Sequence, residues 1–425
     1  MSEWKMAKIE DLLLIPCRNG LTKPSRIRGN GVKMIAMGEL FAHPIIYDIE
    51  MDRVPVTEKE FQSSNIEVND LLFARQSLSL EGAGKCSIVK EVIEPTVFES
   101  HLIRLRINNK IADPWYVYYY FNSYYGKHSI QNIVNQVAAA GIKGSDLVKL
   151  EISLPSLEKQ KIISAQLSEI DSKIECNRKI CANLEAQAQA LFKHWFIDFA
   201  PFKNGKFVES DLGMIPEGWR VGTYNEIIQE TISGDWGKDK PEGNYTHKVA
   251  CIRGCDFQDV KMGLRGKTPE RYILEKNFQA KHFEDKDILV EISGGTATVS
   301  TGRVCPISQS LIDKYNGDIV CTNFCRLVRP CKGYSSYLYY SWKYKYDHKV
   351  MFGYENGTSG IKNFSIKDFS TREPLILPDL SALTEFESII EQIHTQIQNC
   401  GSESAKLATL RDTLLPKLMS GQIKV

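Results

Sequence analysis

Between residues 157 and 199 the apolar positions follow one rule. Ile163, Leu167, Ile170, Ile174, Asn177, Cys181, Leu184, Ala188, Leu191 and Trp195 are spaced alternately four and three apart. That is the a/d seam of a coiled coil, sustained over several heptads with a single polar residue in it. At about 1.5 Å per residue such a helix is roughly 60 Å long. Pro155 stands just before it, Ser156 is placed to cap it, and Glu158 suits its positive end. The pattern runs out near Asp198-Phe199, with Pro201 as a stop. A second helical pattern runs from about Leu380 to Leu415 through Leu383, Phe386, Ile390, Ile393, Ile397, Cys400, Leu407, Leu410 and Leu414. There Gly401-Ser402 interrupts the seam, and Pro416 is expected to break or bend the helix.

The segments that precede each helix carry a mixed pattern. In 1–155, Val32–Met37, Asp70–Arg75, Cys86–Val89 and Leu102–Ile107 read as strands, and Gly82–Lys85 reads as a turn. Trp115–Tyr125 fits an amphipathic helix, and a last strand after Gly141-Ile142-Lys143 ends at Leu154-Pro155. Laid on the second half of the chain, much of this recurs. Glu58–Gln62 matches Glu275–Gln279, Glu67 matches Glu284, Asp70 matches Asp287, and Leu72 matches Leu289. Gly84-Lys85 falls near Gly302-Arg303, Tyr116–Tyr119 on Tyr337–Tyr340, and Gly141–Lys143 on Gly360–Lys362. Trp4 corresponds to Trp219, and Leu154-Pro155 to Leu377-Pro378. The expected plan is a first globule over 1–155, a helix over 156–200, a connector over 201–215, a second globule over 216–378 and a helix over 379–425.

One globule cannot bury such a seam along its full length, so the two helices should bury their seams on each other. The expected class is α+β, with two similar α/β domains separated by a long antiparallel intramolecular coiled coil in pseudo-two-fold arrangement. The seam set is Ile163, Leu167, Ile170, Ile174, Asn177, Leu184 and Leu191 against Ile390, Ile393, Ile397, Leu407 and Leu414. Asn177 then fixes register at some cost in stability.

Composition changes this picture little. The chain has 425 residues, and a net charge of +1 makes bulk electrostatics uninformative about partners. No apolar run is long enough to span a membrane and no signal core follows Met1, so a cytoplasmic location is expected. Eleven cysteines should then be mostly free thiols. Cys251/Cys255 and Cys321/Cys325/Cys331 invite a zinc reading, but their spacing is not that of paired C-x2-C ligands. Small buried thiols account for them better.

Two similar heads on a rigid spacer suit a ligand that is itself long and roughly two-fold, and duplex DNA with separated half-sites fits that description. From Ser300 to Arg372 eleven Lys/Arg face five acids, with Trp342, Tyr344 and Tyr346 interleaved. That excess can contact phosphates, or it can be a solvated helix face over a Tyr-rich core.

At this point the residues resemble a known family. Leu154–Ile163, Ile170–Arg178 and Leu184–Lys193 are similar to the first conserved region of type I restriction–modification specificity subunits. Leu212–Trp219 resembles the segment that opens such a subunit's second target recognition domain, and Leu410–Gly421 resembles its C-terminal signature. The resemblance implies a non-catalytic DNA-reading subunit with one recognition domain per half of a bipartite, asymmetric target. The expected partners are double-stranded DNA, two modification (methyltransferase) subunits and two restriction (endonuclease/translocase) subunits. S-adenosylmethionine, ATP and Mg are expected on those partners, with none bound by this chain. The chain has no Pro-Pro dipeptide and hence no adenine-methyltransferase motif, and Gly82–Lys85 lacks P-loop spacing. The alternatives are a non-catalytic coiled-coil scaffold and part of a fused restriction–methylation enzyme.

For contact with DNA the candidates are Arg75, Gln76, Lys85 and Lys143 in the first globule. In the second they are Ser293, Thr296, Thr298, Arg303, Lys362 and Asn363. Arg and Lys bridge guanine or phosphate, while Gln and Asn pair with adenine. Each of these is equally compatible with a solvated loop position. Trp115–Tyr125 reads as core more readily than as a stacking platform.

Overall fold

The computed structural model describes residues 4–136, 140–296, 298–357 and 362–423. The chain divides into two compact units, one of Met1–Ser172 with Leu407–Val425, the other of Lys173–Lys406. The division falls inside both long helices, Leu157–Phe196 and Leu380–Met419.

In the first unit the central sheet has the order Leu13–Asn19, Leu102–Ile107, Leu71–Ala74, Cys86–Val89, Ile45–Ile46. Its pairs are antiparallel except the last. A second sheet sets Val32–Ile35 between Arg53–Val54 and the parallel strand Thr96–Phe98. A small sheet orders Asn135–Gln136, Ala140–Gly141 and Gln76–Ser77. Lys5–Lys8 pairs with Glu151–Leu154.

The second unit repeats all four sheets. Its central sheet is Ile228–Ser233, Cys325–Pro330, Ile288–Glu291, Val304–Pro306. Tyr245–Ile252 lies between Glu270–Leu274 and the parallel strand Ile319–Cys321. Ser293–Gly294, Lys362–Phe364 and Glu355–Asn356 form the small sheet. Arg220–Thr223 pairs with Pro374–Leu377. The 201–215 region contributes a hairpin, Phe207–Ser210 with Gly213–Pro216, that ends in the second globule's first residues.

The same buried ion pair anchors both central sheets. Asp70 starts the strand Leu71–Ala74, receives Arg106 through Nε and Nη2 at 2.7 Å each, and takes the Glu67 N–H at 2.8 Å. Asp287 starts the strand Ile288–Glu291, receives the Arg329 fork at 3.0 Å twice, and takes the Glu284 N–H at 2.7 Å. Both carboxylates are buried, and a bidentate guanidinium with a backbone donor is what such a group requires.

The aromatic segments are core over Tyr116–Phe121 and Tyr337–Tyr340, whereas Trp115 is half-buried and Tyr124 and Tyr125 are exposed. Pro114–Asn122 is a helix opened by Asp113, whose Oδ2 accepts the Tyr116 N–H at 3.0 Å. It stops at Ser123, which caps a separate helix, Tyr124–Gln131, so the expected single helix Trp115–Tyr125 is two. The reason is local: the Ser123 hydroxyl competes for the backbone and turns the chain. Tyr116–Tyr119 and Tyr337–Tyr340 are buried in their respective units. Likewise Met37 leaves the first strand candidate and begins the helix Met37–Ala42. Residues 144–147 form a helical turn ahead of the last strand.

The helices pair antiparallel within each unit. In the first, Ile163 and Leu167 share a core with Leu415, Leu418 and Met419. In the second, Cys181 packs with Ile397 and Cys400, and Ala188 and Phe192 with Phe386 and Ile390. Asn177 donates to Glu403 Oε2 at 2.7 Å, to Ser404 Oγ at 3.3 Å and to the Cys400 carbonyl at 3.4 Å. Its Oδ1 is buried with no hydrogen-bond partner among the described residues.

The seam departs from the strict heptad at several places. Asp171 and Phe192 are buried where their neighbours Ile170 and Leu191 are half-buried. A straight helix drifts by about 20° per heptad, so the buried stripe moves by one residue. Leu410 is exposed rather than in the seam. The helix does not stop at Pro416 but runs through it to Met419. The hydrogen bond lost is the one to the Asp412 carbonyl, on an exposed residue within reach of solvent. Gly401 does not interrupt the helix either; it is buried against the turn Met262-Gly263.

Each unit places a polar cluster where its tyrosine helix meets the helical pair. In the first, Tyr119 donates to Asp171 Oδ2 at 2.7 Å and Arg411 donates to Asp171 Oδ1 at 2.7 Å. Burial works against the Arg411 charge, but Asp171 holds its pKa above the usual range. In the second, Tyr340 contacts His394 Nε2 at 2.9 Å and donates to Glu185 Oε2 at 3.2 Å. Burial lowers the His394 pKa.

Candidate nucleic-acid interface

In each unit the central strand runs on into the small sheet, and this brings most of the candidate residues together. Leu71–Ala74 leads into Arg75 and Gln76, and Gln76 lies opposite Gly141, two residues before Lys143. Ile288–Glu291 leads into Ser293, which lies opposite Asn363, with Gly294 opposite Lys362. Of the second Gly-Ile-Lys turn, Gly360 and Ile361 lie outside the described residues.

The candidates differ in how free they are. Gln76, Lys143 and Asn363 are exposed. The Arg75 guanidinium donates to the Ser100 carbonyl at 3.3 Å. Lys85 donates to the Phe41 carbonyl at 2.7 Å and lies 5.0 Å from that ring's centre. Arg303 forks onto Glu291 at 2.7 Å twice, which raises its pKa. Lys362 sits 3.0 Å from Glu355 and over the Phe352 ring. Glu355 stays below the usual carboxylate range although burial opposes this, because the Thr301 N–H and hydroxyl and Lys362 all favour its charge. Thr296 and Thr298 form a hydroxyl-capped turn in which Thr296 Oγ1 accepts the N–H groups of Thr298 and Val299 at 3.2 and 3.0 Å. Lys85, Arg303 and Lys362 therefore position backbone and neighbours, while Gln76, Ser293 and Asn363 carry side chains suited to reading base edges.

Beside each small sheet lies a turn that the sequence did not single out. Ser100-His101 precedes the strand Leu102–Ile107, and Asn323-Phe324 precedes Cys325–Pro330. Glycine permits the close approach behind both. A Cβ on Gly20 would stand 2.0 Å from the Phe98 carbonyl oxygen, and one on Gly234 would stand 2.0 Å from that of Thr322. Arg75 N–H donates to the His101 carbonyl at 2.8 Å, and Ile292 N–H to the Phe324 carbonyl at 2.9 Å. An aromatic between two short apolar runs, Ile319–Cys321 and Cys325–Val328, was the available signal for this tip.

Of the cysteines that invited a zinc reading, Cys251, Cys321 and Cys325 are buried, Cys331 is half-buried and Cys255 is exposed, so the expectation of small buried thiols holds for three of the five. Burial pushes Cys251, Cys305 and Cys325 up to about 12, and among the described residues no His/Cys/Asp/Glu group is arranged to hold a metal. No described helix is long and apolar enough to cross a membrane.

Two copies of one four-sheet scaffold, each packed with part of both long helices and each presenting different side chains at the same tips, define a duplicated chain. Residues 1–186 match the family described as type I restriction modification DNA specificity domain. The chain is 25% identical to the type I restriction enzyme MjaIX specificity subunit of Methanocaldococcus jannaschii, over 100% of this chain and 94% of that protein. It is 23% identical to the HindI specificity subunit of Haemophilus influenzae, over 64% of this chain and 69% of that one. Its fold is similar to that of the type I restriction–modification S subunit from M. genitalium, with a TM-score of 0.53 and 15% identity over 98% of this chain and 96% of that chain. Residues 1–186 thus match the DNA specificity domain of these systems, and the chain is similar along its full length to specificity subunits of type I restriction enzymes.

Proposed function

We propose that this chain selects the DNA target of a type I restriction–modification complex, each unit reading one half of a bipartite, asymmetric sequence. The observation that carries the reading is the repeated scaffold with unlike tips: Gln76 and His101 in the first unit stand where Ser293 and Phe324 stand in the second. Corresponding backbones deliver different donors, acceptors and apolar groups to the same relative place, so the two half-sites differ in sequence.

In this reading the chain itself is not catalytic. Two modification subunits carry S-adenosylmethionine, and two restriction subunits carry ATP and Mg. The long helices serve as their landing face and act on the gap between half-sites. The protein works in the cytoplasm, where both the chromosome and invading DNA are met.

Methylome sequencing of a host carrying the locus, with and without this gene, tests the proposal. Adenine methylation in one bipartite motif should vanish when this gene alone is deleted. Unchanged methylation with a working modification partner refutes the reading. Methyl transfer by this chain alone refutes its non-catalytic part.

A further inference from the structure

The second unit holds a hollow of about 510 Å³ beside its small sheet. Its wall includes Trp236, Arg253, Cys255, Ser293, Asn323 and Phe324. Two large aromatics face water there: Phe324 is 63% exposed and Trp236 38%. Aromatic surface left in water beside a cavity marks a contact site.

The tip that carries Phe324 is rigid. Cys325 N–H donates to the Thr322 carbonyl at 3.0 Å, Phe324 N–H to Thr322 Oγ1 at 3.3 Å, and Ile292 N–H to the Phe324 carbonyl at 2.9 Å. Gly234 packs directly behind it. The ring is thus held out before any ligand arrives, which lowers the entropy lost on binding.

The charges around the hollow are already matched. Arg253 forks onto Asp256 at 3.0 and 3.1 Å and donates to the Lys267 carbonyl at 2.8 Å. Glu291 holds Arg303. What remains on offer is an apolar ring, the indole of Trp236 on the side away from the Arg271 guanidinium stacked 4.2 Å from its centre, a hydroxyl and the exposed amide of Asn323. That set is poorly suited to a phosphate and well suited to a base edge. In the major groove the thymine 5-methyl is the apolar group, and a side-chain amide matches adenine N7 and N6. In the first unit Ser100 and His101 occupy the corresponding turn, so the feature belongs to one half-site only.

We propose that Asn323, Phe324 and Trp236 form the site through which the second unit reads an A·T pair of duplex DNA. Phe324 and Trp236 enclose the thymine methyl, and the Asn323 amide pairs with the adenine edge. This deepens the proposed function and rests on it.

The test uses the complex assembled with its modification subunits and duplex oligonucleotides bearing its target. Each thymine of one half-site, then of the other, is replaced by deoxyuracil, which removes only the methyl. One replacement, in one half-site, should weaken binding about fourfold, the value of one buried methyl. Phe324→Ala should weaken binding to the normal target and abolish the response to that replacement. Phe324→Leu, which keeps an apolar contact, should retain the response. Asn323→Ala should relax discrimination at the paired adenine about tenfold. Specific binding with no response to deoxyuracil anywhere overturns this site and leaves the proposed function standing. So does a response that survives in Phe324→Ala, or loss of subunit assembly in place of loss of DNA affinity. Absence of specific binding to any duplex overturns the proposed function itself.

Discussion

Gly401→Ala separates two opposite expectations. Judged as a position within a helix, the change should stabilise the protein by about 1 kcal/mol, the difference in helix propensity between glycine and alanine. The packing argues the reverse. A Cβ at Gly401 would stand 2.3 Å from the Met262 carbonyl oxygen and 2.5 Å from both the carbonyl carbon and oxygen of Gly263. These are backbone atoms, so no rotamer change relieves the clash. The turn has little freedom to retreat. Gly263 has φ of +71°, its N–H bonds the Val260 carbonyl at 3.0 Å, and Lys314 holds its carbonyl at 2.5 Å. Forcing a methyl group into such a contact costs about 1–3 kcal/mol, at or above the propensity gain. The contact distances lie well below those real Cβ atoms show, which places the cost near the upper end. The expected net effect is a loss of about 1–2 kcal/mol, or a fall in Tm of roughly 2–8 °C for a unit of this size. Thermal unfolding followed by circular dichroism measures it, with Asn399→Ala on the exposed face as a control that should gain a few tenths of a kcal/mol, about the propensity difference. A Gly401→Ala protein that melts at or above the wild-type temperature refutes the packing argument.

Two further perturbations bear on the ion pairs. Arg411→Met leaves the Asp171 carboxylate, 7% exposed, with Tyr119 as its one side-chain donor among the described residues. It should cost about 2–3 kcal/mol, discounted because Arg411 is partly solvated, and the double variant Asp171→Leu/Arg411→Met should recover most of it in a double-mutant cycle. Recovery of less than a quarter of the loss would show that the two side chains are not coupled. Glu94 is pulled down to about 2 by its hydrogen bond from Arg53, and then by Lys33. Its folded pKa is depressed, so its contribution is present above the ordinary value of 4.5 and fades as pH falls toward about 2. Wild type should therefore exceed Glu94→Gln in Tm by a constant margin above pH 5, and the margin should close on acidification; a margin that widens in acid contradicts the assignment.

The repeat was legible because it rests on identities at the anchors. Asp70 and Asp287 reappear with the same Glu three residues earlier, and the sheet needs that carboxylate wherever its strand begins. The arginine partners, Arg106 and Arg329, were not legible, because they come from a strand distant in sequence. The small sheets escaped for a different reason: a strand of two residues has no alternation to read. Gly401 and Pro416 looked like helix breaks because propensity is local, whereas a docked turn decides one and a solvated carbonyl tolerates the other. Among the DNA-reading candidates, residue type alone could not separate Lys85, Arg303 and Lys362, which are engaged within the protein, from Gln76 and Asn363, which are exposed.

The two polar clusters on the helical pair differ in chemistry, and the difference has a consequence for self-recognition. Asp171 and His394 stand at the same remove from the Leu-Pro that precedes each helix, yet one is a carboxylate answered by Arg411 and the other an imidazole, its pKa lowered by burial, that meets Tyr340. Suppose two chains exchanged helices, like against like, with the same antiparallel alignment. Two first helices would then set Asp171 against Glu185, and two second helices would set Arg411 against the imidazole of His394 in place of the carboxylate it needs. Facing carboxylates and a buried guanidinium without its partner each cost several kcal/mol in such a setting. Each helix thus accepts the other kind and refuses its own, and a duplicated chain with every opportunity to tangle with its copies carries its own identity check.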